Sequence, residues 1–281
     1  MKNNSAKIIV VVVSLIFVSI AAFFIFLYSF IYLNLPRLPQ KNYEDREVGD
    51  FVVRFYVDED YCEIKGTSEQ GNNKRFLVIP EHIDGVRVES LGVHNIFAWD
   101  ASQRMPPEIE SDMLEKVYFE NPVKLNPHIF EYRCPNLKKI IYPGLDKYPY
   151  YINQNSLVYY PRRIHEEIMK QNSEDSIIRR SASPANVSYY YNYGNVENDS
   201  YYWIDDCDYG GKIEFVPKDP KREEYEFAGW YKEPECINKW DFDTDTLPVE
   251  KTEWKESYRD GKFELMEVTV YQETILYAKW I

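Results

Sequence analysis

The chain has 281 residues, with 33 basic against 46 acidic side chains, a formal charge of −13, and a 16% aromatic share that includes 25 tyrosines. That acidic balance argues against a nucleic-acid binder, which needs a basic face to displace phosphate counterions, and makes anionic lipid and acidic polymers poor partners for the surface as a whole. Four cysteines and four scattered histidines leave little material for a metal or thiol centre.

In chain order, residues 8–33 run from Ile8 to Leu33 without a charge. As a helix the run is about 39 Å long, ample for a hydrocarbon core of about 30 Å. A cleaved signal peptide wants a shorter apolar core followed by small residues, whereas this run ends in Phe26, Tyr28, Phe30 and Tyr32, which suit an interfacial aromatic belt. The expectation is a retained transmembrane signal anchor over 8–33, with residues 1–7 as a cytoplasmic tail. Lys2 and Lys7 precede the span, but Arg37, Lys41 and Arg46 follow it, so charge does not decide the orientation. Residues 34–50, with Pro36 and Pro39, read as a linker.

Residues 51–172 open on FVVRFYVDEDYCEIKGT, two extended runs around Asp58-Glu59-Asp60 that predict a hairpin. Farther on, Leu114 and Leu137, Val117 and Ile140, and Phe119 and Tyr142 are each 23 residues apart, a period of stacked solenoid turns that each add one strand to a shared sheet. RRIHEEIMKQN, with Ile164 and Ile168 at helical spacing, suits a capping helix. Together with Leu77, Ile79-Pro80, Asp84-Gly85, Val88, Leu91-Gly92 and Ile96-Phe97, these units resemble the BspA-type leucine-rich repeat. The resemblance implies a short solenoid, with Lys116, Tyr118, Lys138 and Lys139 at its exposed polar positions as a candidate contact face. The segment from Trp99 through Pro106-Pro107 to Asp112 is the candidate binding loop.

Residues 173–185, with Arg179-Arg180, Ser181, Ser183 and Pro184, read as a second linker. Beyond them, over 186–281, stand Tyr225, Phe227, Gly229, Trp230 and Tyr231, then Trp240 and Phe242, and a closing run with Leu276, Tyr277 and Trp280. Tyr225 and Phe227 share one face of a strand, the glycine lets backbone pass close to a neighbour, and the last run alternates as a strand buried on its Leu276 and Trp280 side. This spaced aromatic set resembles the Listeria-Bacteroides repeat, the InlB B-repeat of bacterial surface proteins. The resemblance implies a small β-grasp-like module used as a stalk or interaction unit, placed outside the cell. Glu224 stands where the family has a glycine, and residues 249–270 look inserted.

Catalytic chemistry is hard to find. No GxSxG, HExxH, P-loop or paired Cys-x-x-Cys occurs, and His94 and His128 fall on comparable solvated turns rather than forming a ligand pair. Asp241, Asp243 and Asp245 alternate like the start of an EF-hand loop but lack its glycine and its bidentate glutamate. Asp205, Asp206 and Asp208 suit an acidic turn or strand edge, with calcium as the alternative. Cys134 and Cys236 read as packed thiols, and Cys207 to Cys236 is the one bridge open to consideration.

The expectation is therefore a mainly β or α+β chain with an N-terminal transmembrane helix, a short leucine-rich-repeat solenoid and a small C-terminal β-grasp-like domain. It is read as a bacterial, single-pass cell-membrane protein with extracytoplasmic domains, not an enzyme, without cofactor or metal, that displays adhesion or binding modules to a protein or glycan ligand and to no nucleic acid. Carbohydrate or envelope-polymer binding by Tyr189-Tyr190-Tyr191 and Tyr201-Tyr202-Trp203 is the alternative, as is a purely structural role. In the last domain Trp230, Trp240 and Trp280 are expected to share one core that closes only with the final strand.

Overall fold

The computed structural model describes residues 22–24, 26–27, 42–92, 109–125, 129–130, 133–143, 156–171, 181–193, 201–259 and 262–281. It divides into two compact units, Met1–Asn42 and Tyr43–Ile281. In the first, residues 22–24 and 26–27 are helical and exposed, and the rest of the expected span 8–33 lies outside the described residues. The helix Arg162–Gln171 has 10 residues, about 15 Å of rise against a hydrocarbon core of about 30 Å. No helix among the described residues is long and apolar enough to cross a membrane. The expectations of a transmembrane helix and of a single-pass membrane protein are corrected accordingly.

The second unit is mainly β. Strands β1 (Tyr43–Val48), β2 (Phe51–Tyr56) and β3 (Tyr61–Thr67) form an antiparallel meander. β1 thus occupies part of the stretch read as a linker, held by the Arg54 guanidinium, which donates to both carboxylate oxygens of Asp45 at 2.7 and 2.6 Å. After β4 (Phe76–Ile79) the chain returns to this sheet, where β3 pairs in parallel with β6 (Val86–Leu91), flanked by β5 (His82–Ile83) and β8 (Lys124–Leu125).

A second sheet is wholly parallel. It contains β4, β7 (Lys116–Phe119), β9 (Lys139–Ile141), β10 (Leu157–Tyr160) and β11 (Ala182–Pro184), in the order β11-β10-β9-β7-β4. Val117 lies opposite Ile140, and the Phe119 and Tyr142 rings are 5.3 Å apart, so the 23-residue spacing does bring these residues side by side. The spacing does not recur. Register partners run from Leu77 to Val117, Val117 to Ile140, Ile140 to Val158 and Val158 to Ala182, steps of 40, 23, 18 and 24 residues. Stacked equal turns need one fixed period, so the leucine-rich-repeat solenoid is not formed.

This parallel sheet is covered on both faces, the usual condition for parallel strands, and its strands FLVI, KVYF, KII and LVYY are accordingly apolar almost throughout. Leu77, Ile79, Val117, Phe119, Ile140, Tyr142, Val158 and Tyr160 share one core with Phe51, Val53, Cys62, Ile64, Val88 and Leu91 of the first sheet and with Ile168 of the helix. On the other face Tyr118, Ile141 and Tyr159 share a second core with Tyr189, Trp203, Trp230, Trp240 and Leu276.

Of those last residues, all but Trp240 belong to a third sheet of β12 (Val187–Tyr190), β13 (Tyr201–Asp205), β14 (Phe227–Tyr231) and β17 (Thr274–Trp280), in the order β13-β12-β17-β14. The final strand is interior, parallel to β12 and antiparallel to β14. Between β14 and β17 the chain makes a separate hairpin, β15 (Thr252–Arg259) with β16 (Lys262–Thr269). The segment 173–185, read as a linker, supplies β11, and Ala185 donates its N–H to Tyr160 O at 2.9 Å from within the second core. The regions taken from sequence as two domains on a tether therefore form three sheets and a separate hairpin within one compact unit.

Candidate functional site

The seam between the parallel sheet and the C-terminal sheet is where most of the expected contact residues lie. Lys116 and Tyr118 project from β7 and Lys139 from β9, while the end of β13 brings Asp205 and Asp206 opposite them. Lys116 Nζ donates to Asp205 Oδ1 at 2.9 Å and to the Asp206 carbonyl at 2.8 Å. The Tyr118 hydroxyl donates to Asp205 Oδ2 at 3.1 Å. Lys139 Nζ is 2.8 Å from Asp206 Oδ2 and 3.2 Å from Asp208 Oδ1. Tyr118 has no exposed surface, and its ring stacks on Phe215 and Trp203 at 4.5 and 5.4 Å. Lys116, Tyr118 and Lys139 are thus used internally, and only Lys138 of the four is exposed. Trp99 lies outside the described residues.

The electrostatics follow from closure. Burial, reinforced by the Asp205 charge, pushes the Tyr118 hydroxyl far above the ordinary tyrosine value. Burial raises the Cys207 thiol in the same way. At Lys139 burial opposes the charge, but Asp206 outweighs it and holds the ammonium above the ordinary lysine value. The acidic cluster Asp205, Asp206 and Asp208 is thereby matched by two lysines. Among the described residues no group of three or more His, Cys, Asp or Glu is arranged to hold a metal ion.

Asp241 and Asp245 act within their own turn: Asp241 accepts the Asp243 N–H at 2.8 Å, and Asp245 accepts the Asp241 N–H at 2.9 Å and the Lys232 ammonium at 2.7 Å. All four cysteines are free, so no Cys207 to Cys236 bridge is formed, and the Cys207 thiol donates to Asp205 Oδ2 at 3.3 Å. Tyr189 and Trp203, two of the rings considered for sugar stacking, are core residues. Beside the seam, Phe119, Glu120, Pro143, Tyr201, Tyr202 and Trp203 line a crevice of about 20 Å³, far below the usual size of a small-molecule pocket of about 300 Å³ or more.

The aromatic motif residues build the third sheet's core. Trp230 and Trp240 are buried, and Phe227, Phe242 and Trp280 pack against them, with Phe227 5.1 Å from Trp230 and 5.8 Å from Trp280. Leu276 is fully buried on β17, Tyr231 and Tyr277 are half-buried in facing register, and Tyr225 is exposed beneath the Arg222 guanidinium. Gly229 has φ +114, and a side chain there would meet Lys239, which explains why this strand position is glycine. The Trp280 indole donates to Tyr191 O at 2.6 Å, tying the last strand to the end of β12.

The hairpin β15–β16 has the opposite character. Its register pairs Trp254 with Glu267 and Glu256 with Leu265, so these side chains and Phe263 stand on one face. Trp254, Phe263 and Leu265 are 67%, 74% and 65% exposed, while Met266 and Val268 on the reverse face are half-covered. The reverse face is exposed as well at Glu253, Lys255, Lys262 and Glu264, so the apolar face stands in solvent without a cover on either side of the ribbon among the described residues.

Against known protein families, one model matches, that of the Listeria-Bacteroides repeat domain, over residues 186–253. This stretch is a Listeria-Bacteroides repeat domain. No curated protein and no solved structure matches the chain. The BspA-type reading of 51–172 gains no support. The repeat domain points to a protein associated with a bacterial surface. Its matched range holds β12, β13 and β14 but stops within β15, so the interior strand β17 is supplied from beyond it, after the hairpin.

The hairpin face was missed by sequence reasoning because residues 249–270 were set aside as an insertion. The signal was present: Trp254, Phe263 and Leu265 lie in two alternating runs around Asp260-Gly261. The seam was missed because a lysine in a strand reads as solvated until its carboxylate partner, 89 residues away, is known.

Proposed function

We propose that this is a non-catalytic interaction protein of the bacterial surface, and that it binds a protein partner through the exposed face of the β15–β16 hairpin. The observation that carries the reading is the exposure of Trp254, Phe263 and Leu265 together on one face. Isolated surface apolar residues need no explanation, but a clustered aromatic and aliphatic face held out on a two-stranded ribbon is a typical contact surface, with tryptophan the residue most often dominant in binding energy.

Charge identifies the kind of partner. The charges on this face among residues 252–257 and 262–269 are the carboxylates of Glu256 and Glu267, so a second copy of the same face would set like charges together. A partner with an apolar patch flanked by lysine or arginine fits instead, and nucleic acid does not. The test is binding of the chain to arrayed surface and host proteins and, in parallel, to arrayed glycans. Protein binding that weakens by more than about tenfold in Trp254→Ser/Leu265→Ser is expected. Protein binding that this variant leaves unchanged, or binding confined to glycans, would contradict the proposal.

A further inference from the structure

Two lysines cross the seam to two aspartates, but their surroundings differ. Lys139 and Asp206 share their contact with Asp208, whose side chain is 94% exposed, and keep 19% and 13% of their own side chains accessible. The Asp205 side chain is fully enclosed, and 13% of Lys116 is accessible. The Lys116 ammonium also lies 5.7 Å from the ring centres of both Phe76 and Tyr118. An ion pair enclosed in this way has lost most of its hydration.

The hydrogen bonds around Asp205 divide by oxygen. Oδ1 receives Lys116 Nζ at 2.9 Å and the Asp206 N–H at 2.7 Å. Oδ2 receives the Tyr118 hydroxyl at 3.1 Å and the Cys207 thiol at 3.3 Å. Burial holds the protons of Tyr118 and Cys207 in place, so both remain donors. A nitrogen thus sits against a carboxyl group whose far oxygen is already supplied with two donors, the arrangement that stabilises charge developing on that oxygen during acyl transfer.

We propose that Lys116 and Asp205 condense into an intramolecular isopeptide bond that joins β7 to β13. A proton passes from the ammonium to Oδ1, leaving a neutral amine beside a carboxylic acid. The amine lone pair attacks Cγ, and the C=O electron pair moves onto Oδ2, against Tyr118 and Cys207. When the C=Oδ2 bond re-forms, Oδ1 takes a second proton from the nitrogen and departs as water. One Nζ–Cγ bond forms and one Cγ–Oδ1 bond breaks; nothing is oxidised or reduced and no further reagent enters. Two fixed reactants gain an effective molarity of about 10⁵ M or more, and the product removes both buried charges. The cross-link would fasten the front sheets to the repeat domain through a covalent bond, as a protein pulled at a surface would need.

Intact-mass measurement of the denatured full-length chain tests this. The expected mass is one water molecule below that of the sequence, with digestion giving a branched peptide that joins Lys116 to Asp205 and resists trypsin after Lys116. Lys116→Arg should restore the full mass, and because the mass is read on unfolded chain the result does not depend on whether the variant folds. A wild-type mass equal to that of the sequence, or a water loss mapped to another position, would overturn the proposal.

Discussion

Leu276 of the last strand lies in parallel register with Tyr189 of β12, so the chain's closing segment is an interior strand and not an edge. Both residues are fully buried in the core shared by the repeat domain and the parallel sheet. The C-terminal segment therefore completes a core that includes Tyr118, Ile141 and Tyr159, residues from well before the repeat domain begins.

Leu276→Ala should cost about 2–5 kcal/mol, the usual range for emptying a buried leucine site. The loss is expected to appear in the front sheets as well as in the repeat domain, because its core is common to both. Hydrogen exchange should show faster exchange at β7 and β9 as well as at β12 and β14. Protection unchanged in β7 and β9 would mean that the two regions are energetically separate.

Lys139→Met leaves Asp206 without its closest cation. The pair is mostly but not wholly enclosed, with 19% and 13% of the two side chains accessible, so the cost should fall somewhat below the roughly 3–5 kcal/mol of breaking a fully buried pair. Urea unfolding should show a lower midpoint with an unchanged slope. Lys138→Met, one residue away and exposed, should stay within about 0.5 kcal/mol of the parent.

Alkaline pH should weaken the fold through the seam. Tyr118, Tyr159 and Lys139 all hold their protons more tightly than their ordinary values of 10.0, 10.0 and 10.5; burial comes first for the tyrosines, and at Lys139 Asp206 outweighs burial. Raised folded values mean that the stabilisation is fully present below about pH 10 and is lost as pH rises through them, because the unfolded chain gives up these protons first. Urea midpoints across this range should fall, and fall less steeply in Tyr159→Phe. A midpoint flat above about pH 10 would show that the seam is open to water.

The hairpin should be neutral to folding. Trp254→Ser and Phe263→Ser, at sites mostly in solvent, should change stability by no more than about 0.5 kcal/mol. A loss of several kcal/mol in a thermal melt would show that this face is covered.

The repeat domain was legible because its large aromatics and single strand glycine answer to local geometry: Trp230, Trp240 and Gly229 have few alternatives in so small a core. The pairing of Val117 with Ile140 was legible from spacing. What sequence could not supply was the cover on the other face of that sheet. The runs VYF, KII and LVYY are apolar on both sides, the pattern of a parallel strand buried twice, but the 23-residue spacing led the Lys116, Tyr118 and Lys139 side to be read as open. The segment 173–185 looked like a tether because Ser and Arg dominate it, and its pairing through Ala182, Ser183 and Pro184 depends on a strand more than twenty residues earlier. Both errors concern partners distant in sequence, which local composition does not encode.

The central claim is that Tyr43–Ile281 is one cooperative body built across the seam. Calorimetric unfolding of the chain tests it most directly. One transition from this unit, with calorimetric and van't Hoff enthalpies in agreement, is the predicted result. Two resolved transitions, one of which disappears when residues 186–281 are removed while the other keeps its midpoint, would contradict it.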